Sequence, residues 1–229
     1  MTDSGTTVPQ DSIDWLTALL TAAPEGVGRR ERTRNALLQA GLTLIAAGET
    51  EVPVLAITRA AGVSNGSFYN FFDDKQQFFD EAAEVAAERF AALLDRGDAE
   101  ATAGDGPDIA AMVCTNFRII GRAHRLAPVL SKVLIHRAAD YYSTGGGFIS
   151  RVRRDVATGV DAGVFRVSDR EGVVGTLVGA TVMLGARLHD HPDLDAATTT
   201  DAVARDVLRM LGVPDDEADR VLALPLPFG

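Results

Sequence analysis

Residues 53–72 read PVLAITRAAGVSNGSFYNFF, two short apolar-periodic segments on either side of Gly62-Val63-Ser64. Val54, Ile57 and Ala61 recur at helical spacing, and Pro53 stands where a first-turn proline is tolerated. Gly62-Val63 interrupts that helix. Ser64 is placed to cap a further one, in which Phe68 and Phe72 fall at i, i+4. A helix this short does not hold alone and needs a third to cover its apolar face. Upstream, Leu37, Gly41, Leu44, Ile45 and Gly48 share one face of a helix predicted over 29–47, which supplies the cover. The spacing therefore predicts a helix-turn-helix. Its outward positions Asn65, Ser67 and Asn70 are small and polar, suited to base edges and phosphates in a major groove. Gly66 permits close backbone approach, and Tyr69 and Lys75 lie where a hydroxyl and an ammonium could grip a phosphate backbone. Arg29, Arg30, Arg32 and Arg34 form a candidate basic arm.

The string AAGVSNGSFYNFFDDK, residues 60–75, resembles the DNA-binding signature of the TetR family of bacterial transcriptional regulators. The likeness covers about residues 29–80. It implies that Ser64, Asn65, Gly66, Ser67, Tyr69 and Asn70 meet DNA and that Lys75 meets phosphate. It also implies a homodimer on a double-stranded operator, with a variable ligand-binding and dimerisation domain downstream. The sequence departs from the family pattern in places. Pro53 and Val54 stand where Thr or Ser is common, Asn65 where a basic residue is common, and Phe71 where His or Tyr is common.

The rest of the chain suits that reading. It has 229 residues with a formal charge of −10, 46% apolar and 24% charged, so it does not coat nucleic acid over its whole surface. Residues 1–28 carry Asp3, Asp11, Asp14 and Glu25 without a basic residue, whereas 29–72 carry five arginines against three glutamates. One cysteine, Cys114, excludes an intrachain disulfide. The first residues lack the form of a signal peptide, and the apolar run Val173–Ala186 is too short to span a bilayer; the expectation is a cytoplasmic protein without membrane contact. Helical period dominates throughout, so the expected fold class is all-α. Further helices are predicted at about 108–124, 126–139, 147–162, 169–189, 197–212 and 215–223. The expected division is an acidic extension over 1–28, a DNA-binding domain over 29–80 and a ligand-binding and dimerisation domain over 81–229. The polar, Gly-rich stretch 95–107 reads as a linker, and Ile13–Ala22 as a candidate extra amphipathic helix.

Gly172, Gly175 and Gly179 recur at helical spacing within an apolar segment, which favours close approach of two helices. The expected two-fold interface uses Gly175, Gly179, Val182, Met183, Ala186, Val203, Val207 and Leu211. The expected pocket draws on Met112, Phe117, Arg118, His124, His136, Tyr141, Tyr142 and Phe148, a mixture of apolar and placed polar groups that suits a small-molecule effector. His189, His191 and Asp193 are donor types that suit zinc, but Pro192 marks a helix end, and neither metal nor cofactor is expected. No nucleophile elbow, HExxH or phosphate loop points to an enzyme. The alternative is a helical dimeric architectural or partner-binding protein without specific DNA recognition.

Overall fold

The helix expected over 29–47 forms as α1 (Arg29–Ala47) and ends at Gly48, whose positive φ of 74° lets its amide and that of Glu49 reach the carbonyls of Ile45 and Leu44. A computed structural model of the protein describes residues 28–101 and 108–226. The acidic extension and the candidate helix at Ile13–Ala22 lie outside those residues. Helices α2 (Val54–Ala60) and α3 (Asn65–Phe68) follow, joined through Gly62 with φ 65°. Phe68, Phe72 and Phe78 pack with ring centroids 5.1–5.4 Å apart and are at most 1% exposed. Together with Leu37, Ile45 and Ile57 they form the core that two short helices could not build unaided.

Helix α4 (Lys75–Ala101) begins at Asp74, whose carboxylate accepts the Gln77 amide at 2.8 Å while the Gln77 side chain accepts the Asp73 amide at 2.7 Å. It runs without a break past the predicted linker start at 95, so that expectation is corrected. Asp95 and Asp98 form ion pairs with Arg151, and these hold the polar end of the helix against the body. At about 1.5 Å per residue its 27 residues span roughly 40 Å.

Six more helices complete the described chain. They are α5 (Ile109–Leu126), α6 (Pro128–Thr144), α7 (Gly147–Asp161), α8 (Arg170–Asp190), α9 (Ala196–Met210) and α10 (Asp215–Leu222). Among the described residues there is no strand. Asp108, Asp169 and Asp195 cap α5, α8 and α9 with their carboxylates. Helix α5 is central: it packs on α4, α6, α7, α8, α9 and α10. Helix α1 packs on both α4 and α6, so two long helices join the N-terminal domain to the rest.

Candidate DNA-binding face and ligand cavity

The N-terminal domain presents α3 outward. Asn65, Gly66 and Asn70 are exposed, and Tyr69 keeps 61% of its surface open. Ser64 occupies the N-cap position, but its hydroxyl makes no cap bond; it shares a 2.8 Å hydrogen bond with the Ser67 hydroxyl. Arg29, Arg30, Thr33, Ser67, Asn70 and Phe71 line an open groove between the start of α1 and α3, with the Arg30 guanidinium 5.6 Å from the Phe71 ring centre. Thus Phe71, placed where the family commonly has a polar aromatic, supports an arginine. Lys75 is partly exposed, 4.0 Å from Glu51. Among the arm residues, Arg34 is half-exposed and pairs with Glu81 on α4 at 2.6 Å, whereas Arg29, Arg30 and Arg32 are exposed.

A cavity lies inside the larger domain at the far end of α4. Leu94 of α4, Val113, Asn116, Phe117 and Ile120 of α5, Phe148, Arg151, Val152, Asp155 and Val156 of α7, and Leu177, Val178 and Thr181 of α8 line it. It is open on one side, and about 60 Å³ of it admits the centre of a water-sized sphere. The wall is apolar apart from one corner. There Asn116 donates to Asp98 at 2.7 Å, and Arg154 reaches Asp155 at 2.7 Å and Asp98 at 3.5 Å. Arg151 completes the cluster by pairing with Asp95 and Asp98. Asp155 is 5% exposed, and burial pushes its carboxyl above the usual range against the pull of Arg154. Asn116 is 7% exposed, and its Oδ1 is buried without a partner. A buried acceptor without a donor is costly, so the corner is suited to a ligand that brings an O–H or N–H. Three carboxylates face two guanidiniums here, which disfavours an anion.

A second, smaller cavity adjoins the first. Phe90, Leu94, Ile120, His124, Leu134, Ile135, Phe148, Val178, Thr181 and Val182 line it, and about 20 Å³ is open to a water centre. His124 is 1% exposed and both ring nitrogens are engaged, Nδ1 with the Ser131 hydroxyl at 2.6 Å and Nε2 with the Thr181 carbonyl at 3.2 Å.

Of the residues expected in a pocket, Phe117 and Phe148 line the first cavity and Phe148 and His124 the second. The other five lie elsewhere. Arg118 is buried in a link from α5 to Asp201 of α9 and the Leu224 carbonyl. His136 donates from Nδ1 to the Ile45 carbonyl of α1 at 2.6 Å, and Tyr141 donates to the Ala83 carbonyl of α4 at 2.6 Å. Tyr142 lies 5.3 Å beneath the Arg153 guanidinium, and Met112 belongs to the core. Asn116, Arg151 and Asp155 were missed. Asn, Arg and Asp on helices read as solvated surface, and only the packing of α4, α5 and α7 brings these three together.

Of the expected interface residues, Gly179 has open space beside it, Met183 is 66% exposed, and Val182, Ala186 and Val203 are partly exposed. Gly175 is covered by the Tyr142 hydroxyl, which a Cβ there would meet at 3.3 Å. Val207 and Leu211 are corrected. They are 6% and 0% exposed and belong to the protomer's own core. Cys114 is 1% exposed, and burial pushes its thiol up to about 11.

A helix-turn-helix with an outward polar helix, joined through α4 and α6 to a larger helical body that holds an apolar cavity, defines a class of DNA-binding regulators with a built-in sensor domain. The pattern described as "Bacterial regulatory proteins, tetR family" matches residues 37–82, and that described as "Tetracyclin repressor-like, C-terminal domain" matches residues 108–223. The chain belongs to the TetR family. No protein of curated function matches it. Among solved structures, RolR in complex with resorcinol is 26% identical, with a TM-score of 0.53, over 87% of this chain and 97% of that one. A regulatory protein of the tetR family from Rhodococcus RHA1 is 18% identical with a TM-score of 0.62, covering 82% of this chain and 100% of the other. The fatty acid degradation regulator FadR from Bacillus halodurans is 16% identical with a TM-score of 0.61, covering 80% and 97%. The last two likenesses concern the fold alone.

Proposed function

We propose that the protein is a homodimeric repressor in the cytoplasm that holds a palindromic operator and releases it when a small neutral hydroxylated aromatic occupies the cavity. The carrying observation is the unpartnered Oδ1 of Asn116, buried beside Asp155 in an otherwise apolar chamber. A phenolic hydroxyl satisfies such an acceptor while its ring takes the apolar walls. The likeness to RolR, whose structure holds resorcinol, supports the same class of effector.

The chain acts by binding alone. The cavity touches Leu94 near the end of α4, and α4 begins beside the recognition helix. An effector that favours one tilt of α4 changes the separation of two recognition helices, which must match successive major grooves about 34–36 Å apart. Because coupling is reciprocal, DNA must weaken effector binding by the same factor that effector weakens DNA binding.

The test begins with selection of bound sequences from a random duplex pool, with a Tyr69→Ala, Lys75→Ala protein as control. Operator affinity is then measured with and without resorcinol. The expected result is a palindrome that the control does not enrich, and operator affinity lowered by at least tenfold when resorcinol is bound. Resorcinol bound at unchanged operator affinity would overturn the proposal.

A further inference from the structure

The two cavities share five lining residues, Leu94, Ile120, Phe148, Val178 and Thr181, so they lie on opposite sides of a common wall. Their chemistry differs. The first has the unpartnered Asn116 Oδ1 and the carboxylate of Asp155. The second is walled by Leu134, Ile135 and Val182, and its one titratable side chain, His124, has both nitrogens already bonded to Ser131 and Thr181. It has no polar atom to offer a ligand; it has only unfilled apolar space.

We propose that the two cavities are lobes of one site and that the effector is an amphiphile. Its neutral hydroxylated ring takes the polar lobe, and a short apolar tail passes Phe148 into the second. This rests on the effector reading above and narrows it. Unfilled apolar space forfeits dispersion contacts that a tail restores, and each methylene removed from water strengthens binding about fourfold. The second lobe is small, with about 20 Å³ open to the centre of a water-sized sphere, so the gain should run over a few carbons and then stop.

Calorimetric titration of the full-length protein with resorcinol and its 4-methyl, 4-ethyl, 4-propyl and 4-hexyl derivatives tests this. Affinity is expected to rise about fourfold per carbon from methyl to propyl and then to level or fall. Leu134→Phe, which fills the second lobe, should flatten the series; Ile135→Phe serves the same purpose if circular dichroism shows the first variant to be misfolded. A flat series in the native protein, with resorcinol itself bound, would overturn the two-lobe site and leave the phenolic reading standing. An equal rise in native and filled variants would also overturn it, because the gain would then be unspecific. Binding of no member would remove the phenolic reading and this inference together.

Discussion

His124 shows how one side chain reads the packing around it. The Thr181 carbonyl can only accept, so Nε2 carries the hydrogen and Nδ1 accepts from Ser131, whose oxygen in turn receives Nε2–H of His189 at 2.8 Å. Burial, with His189 beside it, lowers the His124 pKa from 6.5 to about 4 despite the Thr181 bond. His189 is itself held low by burial and by Lys132 and Arg125. The unfolded chain therefore binds more protons than the native one between pH 6.5 and 4, and stability falls as pH falls through that window. From pH 7 to pH 5 the loss attributable to His124 is about 2 kcal/mol. Urea unfolding of native protein and His124→Gln at one protein concentration checks it: the native protein should lose more by about that amount, and equal losses would refute the assignment. Arg118 and Arg151 look alike in the sequence, each on a helix face, yet Arg118 is sealed against Asp201 and Leu224 while Arg151 stands at the cavity. Partners 83 and 53 positions away decide which is which, and no local pattern carries that information.

Elements were legible where neighbours in sequence are neighbours in space. The Gly62–Ser64 turn is local chemistry and formed where expected, but α3 ends at Phe68, so Phe72, expected in the same helix, packs on Phe68 from the turn that follows, and the Ser64 hydroxyl does not cap. The end of α4 is not local. Residues 95–101 read as linker, yet they are helical, and Arg151 and Arg154 of α7, distant in sequence, pair with Asp95 and Asp98 on that turn. Contacts between elements also rest on small residues that composition cannot rank. A Cβ at Gly121 would lie 2.2 Å from Cγ2 of the fully buried Thr200, so α5 and α9 approach this closely only because residue 121 is glycine. Gly121→Ala should cost about 1–3 kcal/mol of overpacking, against about 1 kcal/mol of gained helix propensity. Thermal unfolding should show a net loss that Thr200→Ala partly restores; a more stable single variant would sink the argument. A second junction concerns signalling. His136 of α6 donates to Ile45 of α1, a tie between sensor and DNA-binding domain that is separate from α4. His136→Ala should leave operator affinity without effector near native and reduce the effector's influence on it by about fivefold, roughly 1 kcal/mol of coupling. Operator titrations with and without effector measure it, and unaltered coupling would show that α4 acts alone.

The outward face of α8 is uncovered in the protomer. By length and composition α8 is the one described helix that could cross a membrane, but only a third of its apolar window is buried in the protomer. A membrane role would require α8 to leave α5, α6, α7 and α9, all of which it packs against, and would empty the cavity wall that Leu177, Val178 and Thr181 provide. A second copy needs no such rearrangement. Gly172, Thr176, Gly179 and Met183 lie on the outward face at spacings of four, three and four, small except for one large apolar side chain that is 66% exposed. Small residues let two such faces close, and Met183, an adaptable side chain, can fill the seam. If this face closes the two-fold dimer proposed above, symmetry repeats any change on it, so Met183→Glu would bury two unpaired carboxylates near one another. The expected penalty is at least about 3 kcal/mol, a loss of more than a hundredfold in self-association. Sedimentation should show native dimer and variant monomer at the same micromolar concentration. Operator affinity should fall with it, because each half-site then binds without the other's help, while the circular dichroism of the helices stays unaltered. A variant that remains dimeric would place the interface elsewhere and leave the exposed face of α8 to a different partner.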